Sequence, residues 1–199
     1  GNAMAIVTGL APKSRHAPIT KVLSTEFHAS PYMEKYVEEA LFQMNEPDLA
    51  FKRMKRQYGD MIASEHSTLW EGWVRKFSGT INHGWSGGPL SNLMQYAAGI
   101  SRSTEDPSLV YIHPRPGKLK HIECSVPMKN GLMEFRMSLE KTYRYSITVP
   151  QGMRLSLQVI SRPKSITALH TNDTSSSVTK RNDREFDIHL KEGNWEIQL

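Results

Sequence analysis

The sequence predicts an α+β chain, with helical hairpins in its first half and an antiparallel β-sandwich in its second. Two observations carry this. Apolar residues recur at the 3.6-residue period of a helix as far as Gly99, and at period 2 beyond it. Capping and turn residues punctuate both halves, which divides them into short elements. With 199 residues, 38% of them hydrophobic, the chain can build a core as one large domain or two small ones.

In "SPYMEKYVEEALFQM" the apolar positions Tyr32, Met33, Tyr36, Val37, Ala40, Leu41 and Met44 fall on one helical face. Ser30 stands as N-cap, Pro31 in the first turn and Glu34 as the N-terminal carboxylate, so the start is well signalled. The next helix, from about Pro47 to Ile62, aligns Phe51, Met54, Tyr58, Met61 and Ile62, and the short "NEP" connection makes the two an antiparallel hairpin. A further helix, Pro89 to Ala98, lies between Gly88 and Gly99 and is expected to bury Leu90, Leu93, Met94 and Ala97. Two more are expected near residues 2 to 10 and 14 to 25. "GNAMAIVTGL" has small residues at helical spacing and no basic n-region, so it reads as a helix of the domain; a chain starting inside such a pattern is expected to be a piece of something longer.

Beyond Gly99, alternation places Ile122 to Met128, Met133 to Leu139, Tyr143 to Val149, Met153 to Val159, Phe186 to Leu190 and Trp195 to Leu199 on strands with one apolar face each. "KNG" at 129 to 131 and "PQG" at 150 to 152 read as hairpin turns, and "TNDTSSSVTKRND" as a long exposed loop. The boundary between the helical and β parts is placed at 105/106. Short strands at regular spacing predict a sandwich.

Composition excludes several function classes. The longest apolar runs, "AIVTGLA" and "YAAGI", fall far short of the roughly 20 residues that cross a bilayer, so no membrane partner is expected. Lys plus Arg exceed Asp plus Glu by 25 − 20 = 5, but the densest basic cluster, Lys52, Arg53, Lys55 and Arg56, reads as a solvated helix face without a nucleic-acid motif beside it. The single Cys124 allows no internal disulfide and reads as inert core. His16, His28, His66, His113, His121, His170 and His189 show no metal-ligand spacing, so no metal and no cofactor are expected. There is no G-x-S-x-G, and "WSGGPL" lacks the Lys-Ser/Thr ending of a phosphate loop.

The segment from Ser64 to Ser86 follows neither period and carries Trp70, Trp73 and Trp85, three of the chain's 4 Trp. Loops with large aromatics on a rigid scaffold are where binding sites tend to lie. A sugar packs its C–H bonds on an indole face while its hydroxyls need charged or amide partners, a mixture that Trp, Glu71, Asn82 and His83 supply. A glutamate buried among indoles would also have its pKa raised by desolvation, which suits general acid or base work. Set against this, the three Trp could simply seal the contact of helices and sheet, since aromatics dominate core packing; in that case all three are buried.

"ASPYMEKYVEEAL", "STLWEGW" and "NHGWSGGPLSNL", in that order and followed by "IHPRPGKLKHIECSVP", resemble the C-terminal part of the bacterial α-L-rhamnosidase family of glycoside hydrolases. The resemblance implies the end of an (α/α)6 barrel of helical hairpins over 1 to 105 and a C-terminal β-sandwich over 106 to 199. It implies an inverting enzyme that releases terminal L-rhamnose from a glycoside or oligosaccharide. Carried over to this sequence, Glu71 is the general base, His83 lies in the sugar pocket, and Trp70, Trp73 and Trp85 form its aromatic wall. Two departures stand out. "VRKFSGTI" is short, with Gly79 its lone glycine, where many relatives have a Gly-rich loop. The family's general acid lies in the earlier half of the barrel, and neither Asp60 nor Glu65 is a candidate to replace it. The chain alone is therefore expected to be inactive, and the apolar faces of a partial barrel to be covered by a second copy or by the missing half. A non-catalytic carbohydrate-binding or assembly module is the alternative.

Overall fold

The computed structural model describes residues 1–74, 79–169 and 175–199. It is α+β, as expected, and divides into two compact units, Gly1–Tyr96 and Ala97–Leu199. The division falls ahead of 105/106 because Ile100–Arg102 already forms a strand of the second unit.

The helical unit contains α1 (Asn2–Val7), α2 (His16–Thr25), α3 (Pro31–Gln43), α4 (Pro47–Ala63) and α5 (Gly88–Asn92). α3 starts where the sequence places it: Pro31 occupies the first turn and the Ser30 hydroxyl accepts from the Met33 N–H at 3.4 Å. It ends at Asn45, whose φ of 63° lets the Glu46 N–H reach back to the Leu41 carbonyl at 2.8 Å and closes the α3–α4 hairpin. Val37, Ala40, Leu41 and Phe42 of α3 and Ala50, Met54, Tyr58 and Met61 of α4 are buried, and Ala3, Ile6, Ile19 and Leu23 bring α1 and α2 into the same unit's interior.

The buried face of α3 is rotated from the expected one. Glu34, Glu38 and Leu41 point in, while Tyr32 is 44% exposed. Glu34 turns in together with a charged partner. Arg53, expected on a solvated face, is buried and binds both Glu34 oxygens, through its Nε and, at 3.0 Å, through Nη2. The same guanidinium donates from Nη1 to the Leu23 and Glu26 carbonyls at 2.5 and 2.7 Å. Its neighbours Lys52, Lys55 and Arg56 remain exposed. Glu34 stands in the first turn of α3, as expected, and is also an interior ion-pair partner. α5 is shorter than expected: the segment runs as a 3-10 turn Gly84–Gly87, α5, and a π-helical turn Leu93–Ala97, which leaves Leu90 and Leu93 exposed; Ile62 of α4 is exposed as well.

The second unit holds β1 (Ile100–Arg102), β2 (Leu109–Ile112), β3 (His121–Met128), β4 (Gly131–Leu139), β5 (Tyr143–Val159), β6 (Ser165–Leu169), β7 (Ser177–Lys180) and β8 (Phe186–Gln198) in one curled sheet. β3 and β4 form the expected hairpin, with Met128 opposite Gly131. "PQG" is not a hairpin turn. β5 runs straight through it with a register shift between Val149 and Arg154, opposite a β8 that is itself continuous from Phe186 to Gln198. Gly152, at φ +70°, makes the bulge, and its N–H donates to Glu192 at 2.5 Å. The bulge splits each long strand into two segments. β5 pairs with β4 before it and with β2 after it; β8 pairs with β7 over its first part and β6 over its second. A sandwich built this way turns its corner within strands, as orthogonal packings do. The β2–β5 pair is parallel, so the sheet is mixed where the sequence predicted an antiparallel one. Within the expected loop 171–183, Ser177–Lys180 forms β7; residues 170–174 lie outside the described residues.

Both halves of the sheet feed one apolar cluster, including Val110, Ile112, Phe135, Met137, Ile147, Leu155, Leu157, Ile188, Trp195 and Ile197. Cys124 is half-buried on β3 against this cluster, and desolvation, with the Glu123 charge, raises its thiol above the usual range, as suits an inert residue.

Candidate functional site

The Ser64–Ser86 segment doubles back on itself without becoming a sheet. The Glu71 N–H donates to the Thr80 carbonyl and the His83 N–H to the Leu69 carbonyl, both at 2.9 Å. The Thr68 hydroxyl reaches the Ile81 carbonyl, and Ser86 Oγ donates to the Trp70 carbonyl at 2.6 Å. Residues separated in sequence are brought to one place by this pairing, which hydrophobic periodicity does not register. Arg75 to Ser78, within the short "VRKFSGTI", lie outside the described residues.

Glu71 and His83 stand together. The carboxylate Oε2 accepts the Thr80 N–H at 3.0 Å and lies 3.8 Å from His83 Nδ1, which in turn meets Thr80 Oγ1 at 2.6 Å. Their side chains are 35% and 26% exposed, so the pair is partly open and the carboxylate is not enclosed by the indoles. Gly79 has φ +32°, a conformation that favours glycine, and a Cβ there would displace the Glu71 carboxylate. Trp85 lies over the imidazole with ring centroids 4.1 Å apart and is 49% exposed.

The other two indoles play different parts. Trp70 is only 6% exposed, packs with Tyr58 and Met61, and leaves its Nε1–H buried without an acceptor among the described residues. Trp73 is half-buried: its ring meets Tyr58 edge-on at 5.0 Å and its Nε1 donates to the Ala29 carbonyl at 2.6 Å. The three Trp are therefore not all core. Asn82 is exposed on the same loop.

A buried carboxylate of raised pKa does exist, at a position the sequence reading passed over. Glu38 is fully buried on α3, and burial pushes its pKa up to about 8, with Glu34 adding repulsion and the amide of Asn92, which donates at 2.9 Å, opposing. Glu38 Oε1 and Asn92 Oδ1 are both buried without partners among the described residues, an arrangement that favours the neutral acid. Glu34 is likewise raised by burial, against the pull of Arg53. The burial of Tyr58, next to these carboxylates, raises its phenol well above the usual range; its hydroxyl donates to the Pro31 carbonyl at 3.2 Å. Arg53, Trp73 and Tyr58 thus hold the 26–31 connection from three directions. Glu34 and Glu38, at i, i+4 and followed at i+7 by Leu41, share one helix face, which is the signal the sequence carries for their joint burial.

Among the described residues no group of three His, Cys, Asp or Glu is placed to hold a metal, and no helix is long and apolar enough to cross a membrane. In the sheet unit a cavity of about 380 Å³ opens between Leu109, Arg154, Ser177 and His189; its Arg154 is engaged by Asp106 and its His189 by Thr179.

No sequence family model matches the chain, and no curated protein matches it. Solved structures do. An α-L-rhamnosidase from Dictyoglumus thermophilum matches over 99% of this chain and 25% of its own, with TM-score 0.76 and 17% identity. The Streptomyces avermitilis α-L-rhamnosidase, solved in complex with L-rhamnose, matches over 100% of this chain and 21% of its own, with TM-score 0.76 and 15% identity. The chain has an α-L-rhamnosidase fold. A GH78 family rhamnosidase of Bacillus sp. GL1 has 24% identity over 78% of this chain and 18% of its own, with TM-score 0.65. The chain thus spans a quarter or less of the length of these rhamnosidases, and the similarity runs through both of its units.

Proposed function

We propose that this chain belongs to the α-L-rhamnosidase family and carries the water-activating part of an inverting glycoside hydrolase acting on terminal L-rhamnose. In this reading the helical unit, Gly1–Tyr96, is the C-terminal portion of the (α/α)6 barrel and the sheet unit, Ala97–Leu199, the C-terminal sandwich. The observation that carries it is the Glu71–His83 pair, a partly exposed carboxylate 3.8 Å from an imidazole that is itself covered by the exposed Trp85 ring. The likeness to α-L-rhamnosidases, one of them solved with L-rhamnose, supports L-rhamnose as the sugar for that pair.

Glu71 acts as general base. Its Oε2 is engaged by the Thr80 N–H, and Oε1 takes the proton of the water that attacks the anomeric carbon. Thr80 fixes His83 through Nδ1, so that Nε2 is directed to a sugar hydroxyl, and Trp85 supplies the apolar face. Trp70 and Trp73 support the loop from beneath, and Asn82 adds a polar partner at its rim. An inverting hydrolase needs a second carboxyl roughly 6.5–9.5 Å from the first, to protonate the leaving oxygen. That acid is assigned to the earlier half of the barrel, so the chain alone does not turn over, and the exposed Ile62, Leu90 and Leu93 are assigned to contact with that half or a second copy.

Hydrolysis of 4-nitrophenyl α-L-rhamnoside by the chain extended upstream to complete its barrel tests the reading. Glu71→Gln is expected to lower kcat by about 10²- to 10⁴-fold, whereas full activity in that variant overturns the assignment. The half-exposed indole of Trp85 also favours a second reading, a carbohydrate-binding module without turnover; it is selected if L-rhamnose binds and no barrel-extended form hydrolyses the glycoside.

A further inference from the structure

We propose that Glu38 and Asn92 form a two-bond acid–amide pair, and that this pair latches the 84–92 segment, which carries Trp85, to α3. The latch closes with one proton and opens when that proton leaves.

The pair follows from counting donors and acceptors. Glu38 and Asn92 are both fully buried. Asn92 Nδ2 donates one N–H to the Lys35 carbonyl at 2.8 Å and the other to Glu38 Oε2 at 2.9 Å. A carbonyl can only accept, so the Lys35 contact fixes which end of the amide is nitrogen. That leaves Asn92 Oδ1 and Glu38 Oε1 buried and without partners among the described residues. Two oxygens that can only accept are two orphans. A proton on Oε1 makes it a donor, and one Oε1–H to Oδ1 bond then satisfies both. Acid and amide hold each other by two hydrogen bonds running in opposite directions.

The groups facing Glu38 offer no substitute for that proton. One turn back on α3 stands Glu34, a like charge. From α4 come Arg53, whose guanidinium is bound to Glu34 and to the Leu23 and Glu26 carbonyls, and the Tyr58 phenol, which donates to the Pro31 carbonyl. Burial, with the Glu34 charge added, pushes the Glu38 carboxyl up to about 8 against the pull of Asn92 and Arg53.

The pair acts on the loop through the chain. Asn92 ends α5, which follows directly on the Gly84–Gly87 turn that carries Trp85. Gly88 lies so close to α3 that a Cβ there would collide with the Lys35 side chain, and the Trp85 ring meets Tyr32 at 5.4 Å between centroids. Once Glu38 ionises, Oε1 and Oδ1 are two acceptors beside a buried charge, and withdrawing Asn92 relieves the cost. Asn92 takes the Trp85 turn with it, and with that turn the ring that covers His83 at 4.1 Å. Glu38 is thereby a positioning residue for Trp85, held in place below about pH 8 and released above it.

Carbon-13 NMR of the chain labelled at its glutamate carboxyls, followed between about pH 4 and pH 10, tests the pair. Glu38, identified as the resonance missing from Glu38→Gln, is expected to titrate near 8 instead of near the ordinary 4.5. The Trp85 ring C–H resonances, identified by their loss from Trp85→Phe, are expected to shift with that same midpoint and to show no such shift in Glu38→Gln. A glutamine keeps both hydrogen bonds, donating from Nε2 to Asn92 Oδ1 and accepting from Asn92 Nδ2, so Glu38→Gln is expected to fold. Its failure to fold, or a Glu38 that titrates with the exposed carboxylates, overturns the pair. A Trp85 shift near pH 8 that persists in Glu38→Gln, or no Trp85 shift while Glu38 titrates there, overturns the latch. These measurements involve no sugar, so their outcome is separate from that of the Glu71–His83 assignment.

Discussion

The helical unit buries Glu34, Glu38, Arg53 and Asn92, whereas Ser156 is the one buried polar residue in the sheet unit among the described residues. No charged side chain is buried in the sheet unit among the described residues, so its packing rests chiefly on apolar area, a non-directional force insensitive to protonation. The helical interior is held in part by charges removed from water, which are stable only while each keeps its partner. The contrast shows where the molecule places its constraints. The sheet unit has an apolar core, and the unit carrying the Trp loop has a partly polar one, in which Arg53 and Asn92 fix α3 by hydrogen bonds.

Substitutions that sever the polar interior should have the largest effect. Arg53→Met is expected to lower the unfolding free energy by about 3–5 kcal/mol, because it strands the Glu34 carboxylate in a dry interior. Glu34→Leu combined with Arg53→Met should recover much of the loss; denaturant titrations of the single and double variants give the coupling. Phe135→Ala in the sheet core should cost a similar ~3–5 kcal/mol, but with the same loss at pH 5 and pH 8. A difference between those two values would show that the sheet interior is not as apolar as its residues.

Glu38 gives an intermediate effect with a definite sign. Its folded pKa of about 8 lies above the ordinary 4.5, so the native state holds a proton that the unfolded chain releases between those values. Its contribution is fully present below pH 4.5 and is lost as pH rises towards about 8, with a slope of up to about 1.4 kcal/mol per pH unit. Glu38→Gln, which cannot ionise, should flatten that part of the stability curve; thermal melts between pH 5 and 8 decide it, and an unaltered slope would place the titrating group elsewhere. The smallest effect is expected at the β5 bulge, where Gly152→Ala must adopt φ +70° and should cost roughly 1–2 kcal/mol, read from the same denaturant titrations.

Much of the architecture was legible in the residues. Ser30 and Pro31 announced α3 because an N-cap and a first-turn proline are local devices, and alternation gave the inward faces of β4, β5 and β8 because a strand has only two faces. The expected hairpin at "PQG" failed because turn residues look alike in a bulge and a turn, and only the uninterrupted partner β8 tells them apart. Around the candidate site, residue chemistry alone left Glu71, His83 and Trp85 open between core and pocket, and the family resemblance singled them out; the structure places the three near one another. Thr80 was not legible, since its role comes from the backbone pairing of 69–71 with 80–83.

The sequence by itself determined the change from helical to strand period at Gly99, the helix starts, the alternating faces and the aromatic-rich loop between α4 and α5. All of these follow from interactions between near neighbours in the chain. Tertiary structure alone decided that α3 turns Glu34 and Glu38 inward and Tyr32 outward, that Arg53 is an interior residue, that β2 runs parallel to β5, and that Trp70 is buried while Trp85 is not. A carboxylate's burial depends on a partner that arrives from a distant part of the chain, here Arg53 for Glu34 and Asn92 for Glu38.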